Sequence, residues 1–223
     1  MLESLSDLFL AVGALGTASY GLVDASKAFG GGVSNYGFKR IAAVMRKLYP
    51  AGPGPLDLVV VLDALRASWL NGKPMLEQIA QARGLIKLRF DPAGAPSLAV
   101  ATGLAAARLS AVAGKLDQGT PLDDADMAVL NRFDDIVTAL LDGAYQHADQ
   151  AYRNAAKAWA VAVSLVLAVV GGWLMRQDAN YWVSRDFLQA IVIGLLAAPL
   201  APVSKDLASA LGAGVKALQA VRK

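Results

Sequence analysis

The chain has 223 residues, 56% of them apolar and 17% charged, with no cysteine, one histidine and a formal net charge of +3. Soluble domains carry about a quarter charged residues, so this composition fits a chain with part of its length outside water. The missing cysteines exclude disulfides, thiol catalysis and Cys-based zinc or iron–sulfur sites. The lone His147 excludes multi-histidine metal centres.

Three stretches contain no charged residue: 8–23, 158–175 and 187–204. Eighteen helical residues rise about 27 Å, close to the thickness of the hydrocarbon core. The first stretch, LFLAVGALGTASYGLV, is rich in small residues, and Ala14/Ala18 and Thr17/Gly21 have the small-xxx-small spacing that lets a second helix approach. Glu3 and Asp7 stand where a secretory signal carries positive charge, so a retained span is expected.

Gly30, Gly31 and Gly32 then mark a turn before the basic stretch NYGFKRIAAVMRKLYP. Phe38, Ile41, Met45 and Leu48 recur at helical spacing, with Lys39, Arg40, Arg46 and Lys47 between them. Beside a span, that pattern predicts an amphipathic helix against anionic headgroups rather than a nucleic-acid surface. The proline run 50–55 breaks the chain, and Pro55 is placed to open the next helix. The segment LDLVVVLDALRASWL is apolar but carries Asp57, Asp63 and Arg66, which makes it a core helix rather than a fourth span. A short helix is expected over 74–83, a strand over 85–90 from the alternation of Ile86, Leu88 and Phe90, and one helix over 97–116.

Thr120-Pro121 reads as a helix cap followed by a first-turn proline. No proline follows until past Met175, so an unbroken helix from there is about 80 Å long. Leu130, Phe133, Val137, Leu140, Ala144 and His147 alternate by three and four. Such a stripe serves a coiled-coil seam between copies or packing within the chain. In an oligomeric seam His147 would recur around an axis and titrate near neutrality. Asp123, Asp124, Asp126, Asp134, Asp135, Asp142 and Asp149 face one base, Arg132. They form a solvated face, or else a negative surface that pairs with the basic stretch or gathers cations.

Trp159 and Trp173 bracket the second span, and Tyr181 and Trp182 precede the third, the positions of an aromatic interface belt. Pro199 and Pro202 fall late in the third span, and Ser204 is placed to cap a separate helix. That last helix puts Leu207, Leu211 and Val215 on one face and Lys205 and Lys216 on the other, suited to the inner leaflet.

Of 21 basic residues, 15 lie between the first two spans, four follow the third and two lie in the hairpin. The positive-inside rule then puts the N-terminus outside and both the main domain and the C-terminus in the cytoplasm of an inner (plasma) membrane. The expected chain is all-α: a transmembrane helix over 1–28, a helical cytoplasmic domain over 29–157, a transmembrane hairpin over 158–204 and a basic amphipathic helix over 205–223. Gly72-Lys73 lacks the glycine of a phosphate loop, and the sequence holds no HExxH, no nucleophile elbow and no dinucleotide fingerprint. No catalytic, cofactor or metal residues are assigned. Expected partners are anionic lipid, further copies of the chain and an unidentified protein, without nucleic acid. The leading reading is a self-associating, non-enzymatic membrane anchor or scaffold. An oligomeric channel or pore-forming effector is the alternative, and a lipid-modifying enzyme lacks a visible acid, base or metal set.

Overall fold

The computed structural model describes residues 2–49 and 56–221, with side chains at 8–49 and 56–203. Every regular element among the described residues is helical: α1 (Leu2–Ala25), α2 (Ser34–Leu48), α3 (Leu58–Leu70), α4 (Met75–Lys87), α5 (Ala95–Thr102), α6 (Ala106–Asp117), α7 (Asp124–Arg176) and α8 (Arg185–Val221). Two 3-10 turns, Ser26–Ala28 and Ala179–Val183, complete the set. Three stretches, Leu8–Ala28, Asp124–Arg176 and Arg185–Val203, are long and apolar enough to cross a membrane. The chain divides into two compact units, one of Met1–Val33 with Arg153–Lys223 and one of Ser34–Tyr152.

In the second unit, each helix contributes one apolar stripe to a shared core. Ile41, Met45 and Leu48 come from α2, Val61 and Leu65 from α3, Ile79, Ala82 and Ile86 from α4, and Leu98 and Ala99 from α5. Leu109 and Ala113 of α6 join them, and α7 closes the core with Phe133, Val137, Leu141, Tyr145 and Ala148. The spacing of that last set, four residues throughout until its final step of three, is that of one helix face.

The boundaries follow local chemistry. Asp57 caps α3 by accepting from the Val59 amide at 3.1 Å, so the helix opens at Leu58, and Pro55 lies outside the described residues. At the start of α7, Asp123 accepts from the Asp126 amide at 2.8 Å, and the Asp126 carboxylate accepts from the Asp123 amide at 3.2 Å. This is a reciprocal capping box. It moves the expected start at Thr120 three residues on: an aspartate that satisfies an orphan amide outcompetes the Thr-Pro pair. α7 then runs unbroken for 53 residues, as the lack of proline predicts.

Two expectations fail in the middle of the chain. The 85–90 strand is absent: 85–87 complete α4, because the buried Gln78, Ile79, Ala82 and Ile86 follow a helical period, and the alternation covers too few residues to outweigh it. Leu88 points outward and Arg89 inward. The single helix over 97–116 is two helices, divided where Gly103 takes a left-handed φ of 70° and ends α5.

In the first unit α1 packs along α8. The expected break at Ser204 does not occur, and α8 continues through Pro199 and Pro202 to Val221. Each proline lacks the N–H that would bond the carbonyl four residues back, at Leu195 and Ala198.

Candidate membrane and packing surfaces

The first unit is built inside out. Most of its buried positions are small: Gly13, Gly16 and Ser19 on α1, Ala160 and Ser164 on α7, and Ala190, Gly194, Ala197 and Ala198 on α8, with Val12, Val23 and Tyr181 among the larger exceptions. Its large apolar side chains point away from the protein, among them Val166, Leu174, Leu188, Val192 and Leu196. A water-soluble core has the opposite order, with large residues inside. Helices in lipid gain nothing by hiding leucine from hydrocarbon and instead use small residues to bring backbones together.

The helix contacts show why glycine stands where it does. A Cβ added to Gly16 would sit 2.7 Å from the Ala201 Cβ and closer still to the Ala197 carbonyl oxygen. One added to Gly194 would sit 2.6 Å from the Leu165 Cα. Beside it the buried Ser164 hydroxyl donates to the Gly194 carbonyl at 2.7 Å, linking α7 to α8. The hydroxyls of Thr17 and Ser19 donate back to the Gly13 and Leu15 carbonyls of their own helix, which satisfies them without a partner helix.

The aromatics expected at an interface separate into two kinds. Trp159, Trp173 and Trp182 are exposed. Tyr181 is fully buried: its hydroxyl donates to the Val169 carbonyl at 3.1 Å, and its ring stands edge-on to Trp182 and Phe187. Gly172 leaves room for it, since a Cβ there would meet the Tyr181 hydroxyl oxygen at 2.5 Å. Tyr181 therefore holds the α7–α8 hairpin together rather than meeting headgroups. Arg176, beside it, pairs with Asp178 and Asp186.

The bases of α2 face solvent at Lys39, Arg40, Arg46 and Lys47. The opposite face does not, because Ile41, Met45 and Leu48 are buried in the core of their own unit. The expected amphipathic insertion into lipid is therefore corrected: the apolar face is already covered by protein, and only the charges remain to meet an anionic surface. Lys205 has its side chain outside the described residues.

The expected α7 stripe divides likewise. Phe133, Val137 and Ala144 enter the core, Leu130 is half-buried, and Leu140 and His147 are exposed. The line that packs is offset and includes Leu141, Tyr145 and Ala148, which the three-four spacing from Leu130 passes by. Burial pushes the Tyr145 phenol up to about 12. Part of the acidic face has cations close to hand: Lys87 pairs with Asp134 at 2.6 Å, and Lys115 with Asp123 and Asp126. The Asp126 carboxylate holds the Lys115 ammonium above its usual range, while the Asp126 amide holds Asp123 below the usual carboxylate range.

Arg89, a polar position of the expected 85–90 strand, is instead buried. It is 1% exposed, with its guanidinium 5.8 Å from the centre of the Tyr49 ring, and the Tyr49 hydroxyl donates to the Leu56 carbonyl at 2.7 Å. Burial raises the Tyr49 phenol and the Arg89 charge opposes that rise. Among the described residues no group of three His, Cys, Asp or Glu side chains is placed to hold a metal ion. Comparison with known proteins finds no matching family model, curated protein or solved structure.

Proposed function

We propose that this chain is an integral inner-membrane protein that self-associates and anchors or scaffolds a cytoplasmic partner, without chemistry of its own. The observation that supports it best is the inverted packing of the first unit, with glycine, alanine and serine at most of its buried positions and exposed leucine and tryptophan outside. That order is stable where the surroundings are lipid. The Lys and Arg distribution orients the chain with the N-terminus and the 177–184 hairpin outside and Ser34–Tyr152 in the cytoplasm. The exposed bases of α2 meet anionic headgroups through charge alone, so that contact weakens with salt.

Leu140 and His147 are the part of the α7 stripe left for contact between copies, Val137 being committed to the core. A cysteine at Leu140 in this otherwise cysteine-free chain tests the reading. In native membranes a short bis-maleimide should join L140C subunits into a species above the 23.2 kDa monomer. Monomer alone, in membranes and in mild detergent, removes self-association. A conducting assembly is the second reading, favoured by the exposed Ala14, Thr17 and Ala18 on the face of α1 away from α8. Liposome ion flux that changes in Ala14→Trp or Thr17→Trp supports it, and no flux supports the anchor.

A further inference from the structure

The loop after α6 turns the chain back on itself. Lys115, late in α6, pairs with Asp123 and Asp126 at the start of α7. Leu104, Ala105 and Arg108, around the start of α6, share a groove with Ala128, Val129 and Arg132 of α7. The two helices therefore run antiparallel, and one register relates both ends. From the Lys115–Asp126 pair, seven residues back along α6 and six forward along α7 are rises of about 10 Å and about 9 Å, and they arrive at Arg108 and Arg132.

Where the first position matches a cation with a carboxylate, the second sets two guanidinium groups beside one opening. Neither side chain has an ion pair or hydrogen bond among the described residues, and both are exposed. Asp135, one turn along α7 from Arg132, is also exposed and makes no ion pair with it. The groove is open, with a volume of about 460 Å³, and the rest of its lining is uncharged. Arg132 is also the only base between Thr120 and Gln150, in a stretch with seven aspartates. Two cations that line one groove with no carboxylate among its lining residues form a site where an anion is attracted by both.

We propose that this groove binds an oxyanion of the phosphate class between Arg108 and Arg132, with the organic body of the ligand against Leu104, Ala128 and Val129. Two guanidinium forks match the several oxygens of a phosphate in a way that single lysines do not. The volume suits a small phosphate ester or a lipid headgroup. This inference does not depend on the membrane reading above.

The test uses the full chain in uncharged detergent, with thermal unfolding and phosphorus NMR as readouts. Inorganic phosphate should raise the unfolding midpoint above that in sodium chloride of equal ionic strength, and its resonance should broaden. Arg108→Gln and Arg132→Gln should each weaken phosphate binding about 10- to 100-fold. In chloride the midpoint of each variant should stay close to that of the parent chain, because both side chains are exposed and no ion pair or hydrogen bond is lost. Arg40→Gln, which removes an exposed base elsewhere, should keep the phosphate response. Replacing inorganic phosphate with phosphatidylglycerol in mixed micelles identifies the source. A response to the lipid alone assigns a headgroup, and a response to the free ion assigns a soluble ester. No response to either probe, or an undiminished response in both groove variants, overturns the proposal.

Discussion

Adjacent leucines on α7 give the sharpest test of how the second unit is packed. Leu141 is completely buried, whereas Leu140 is 39% exposed. Truncating a buried leucine to alanine costs about 2–5 kcal/mol, according to how far the cavity collapses. A surface substitution without special contacts stays within about 0.5 kcal/mol. For a unit of about 120 residues each kcal/mol moves the midpoint by roughly 3–5 °C. Leu141→Ala should therefore lower the melting temperature of this unit by at least about 6 °C, and Leu140→Ala by no more than about 3 °C. Differential scanning calorimetry of the full chain in mild detergent, at a concentration where it is monomeric, separates the two. Equal losses, or a larger loss at Leu140, would mean that α7 is rotated by about one residue (roughly 100°) and refute the assigned core.

Other outcomes follow from individual contacts. Gly16→Val should break the α1–α8 contact, read as loss of protease resistance in detergent, because its Cβ meets Ala201 and Ala197; Gly21→Val should leave it intact, having nothing within 4 Å. Ser164→Ala removes the bond to Gly194 and should destabilise the hairpin by about 0.6 kcal/mol, measured by denaturant titration in micelles. Asp123 has a depressed folded pKa, so its contribution to the α7 start is present above the unfolded carboxylate value and is lost as pH falls through the lower folded one. Amide exchange at 124–127, corrected for intrinsic rates, should accelerate over that acidic window, and Asp123→Ala should remove the pH dependence. Tyr145 has a raised folded pKa, so the unfolded phenol ionises first and stability should fall between about pH 10 and 12; Tyr145→Phe should flatten that limb of the melting profile.

Much of the fold is legible because two of its determinants are one-dimensional. Charge-free runs of 16–18 residues mark the apolar segments, and the missing proline after Pro121 gives α7 its length. The errors come from places where the deciding interaction is local geometry or a distant surface. Gly103 ends α5 through its left-handed φ, yet a glycine within an apolar run gives no sign of which conformation it takes. At the start of α7 two competing caps were present, and only the hydrogen bonds distinguish Asp123 from Thr120. Helical period shows that α2 is amphipathic, but lipid and protein core select the same residues, so Ile41 and Met45 pointed to either. The α7 stripe expected from the sequence lies one residue away from the packed line at Leu140/Leu141, because Leu130 and Leu140 fit a three-four alternation as well as the buried set does. Arg89 is the clearest departure: an arginine in an alternating stretch reads as the polar side of a strand, whereas the fold buries it with its guanidinium beside the Tyr49 ring. The pairing of Arg108 with Arg132 across one groove depends on the antiparallel register of α6 and α7, which no spacing in the sequence specifies.

The central claim is that lipid surrounds the inverted unit and that Ser34–Tyr152 lies on the base-rich side. Single cysteines at Asn180, in the hairpin, and at Glu77, at the start of α4, test it directly, since both positions are exposed and the chain has no cysteine of its own. A membrane-impermeant maleimide should label N180C in intact cells or spheroplasts and E77C only after lysis. Labelling of E77C before lysis, or protection of both sites until lysis, contradicts the account.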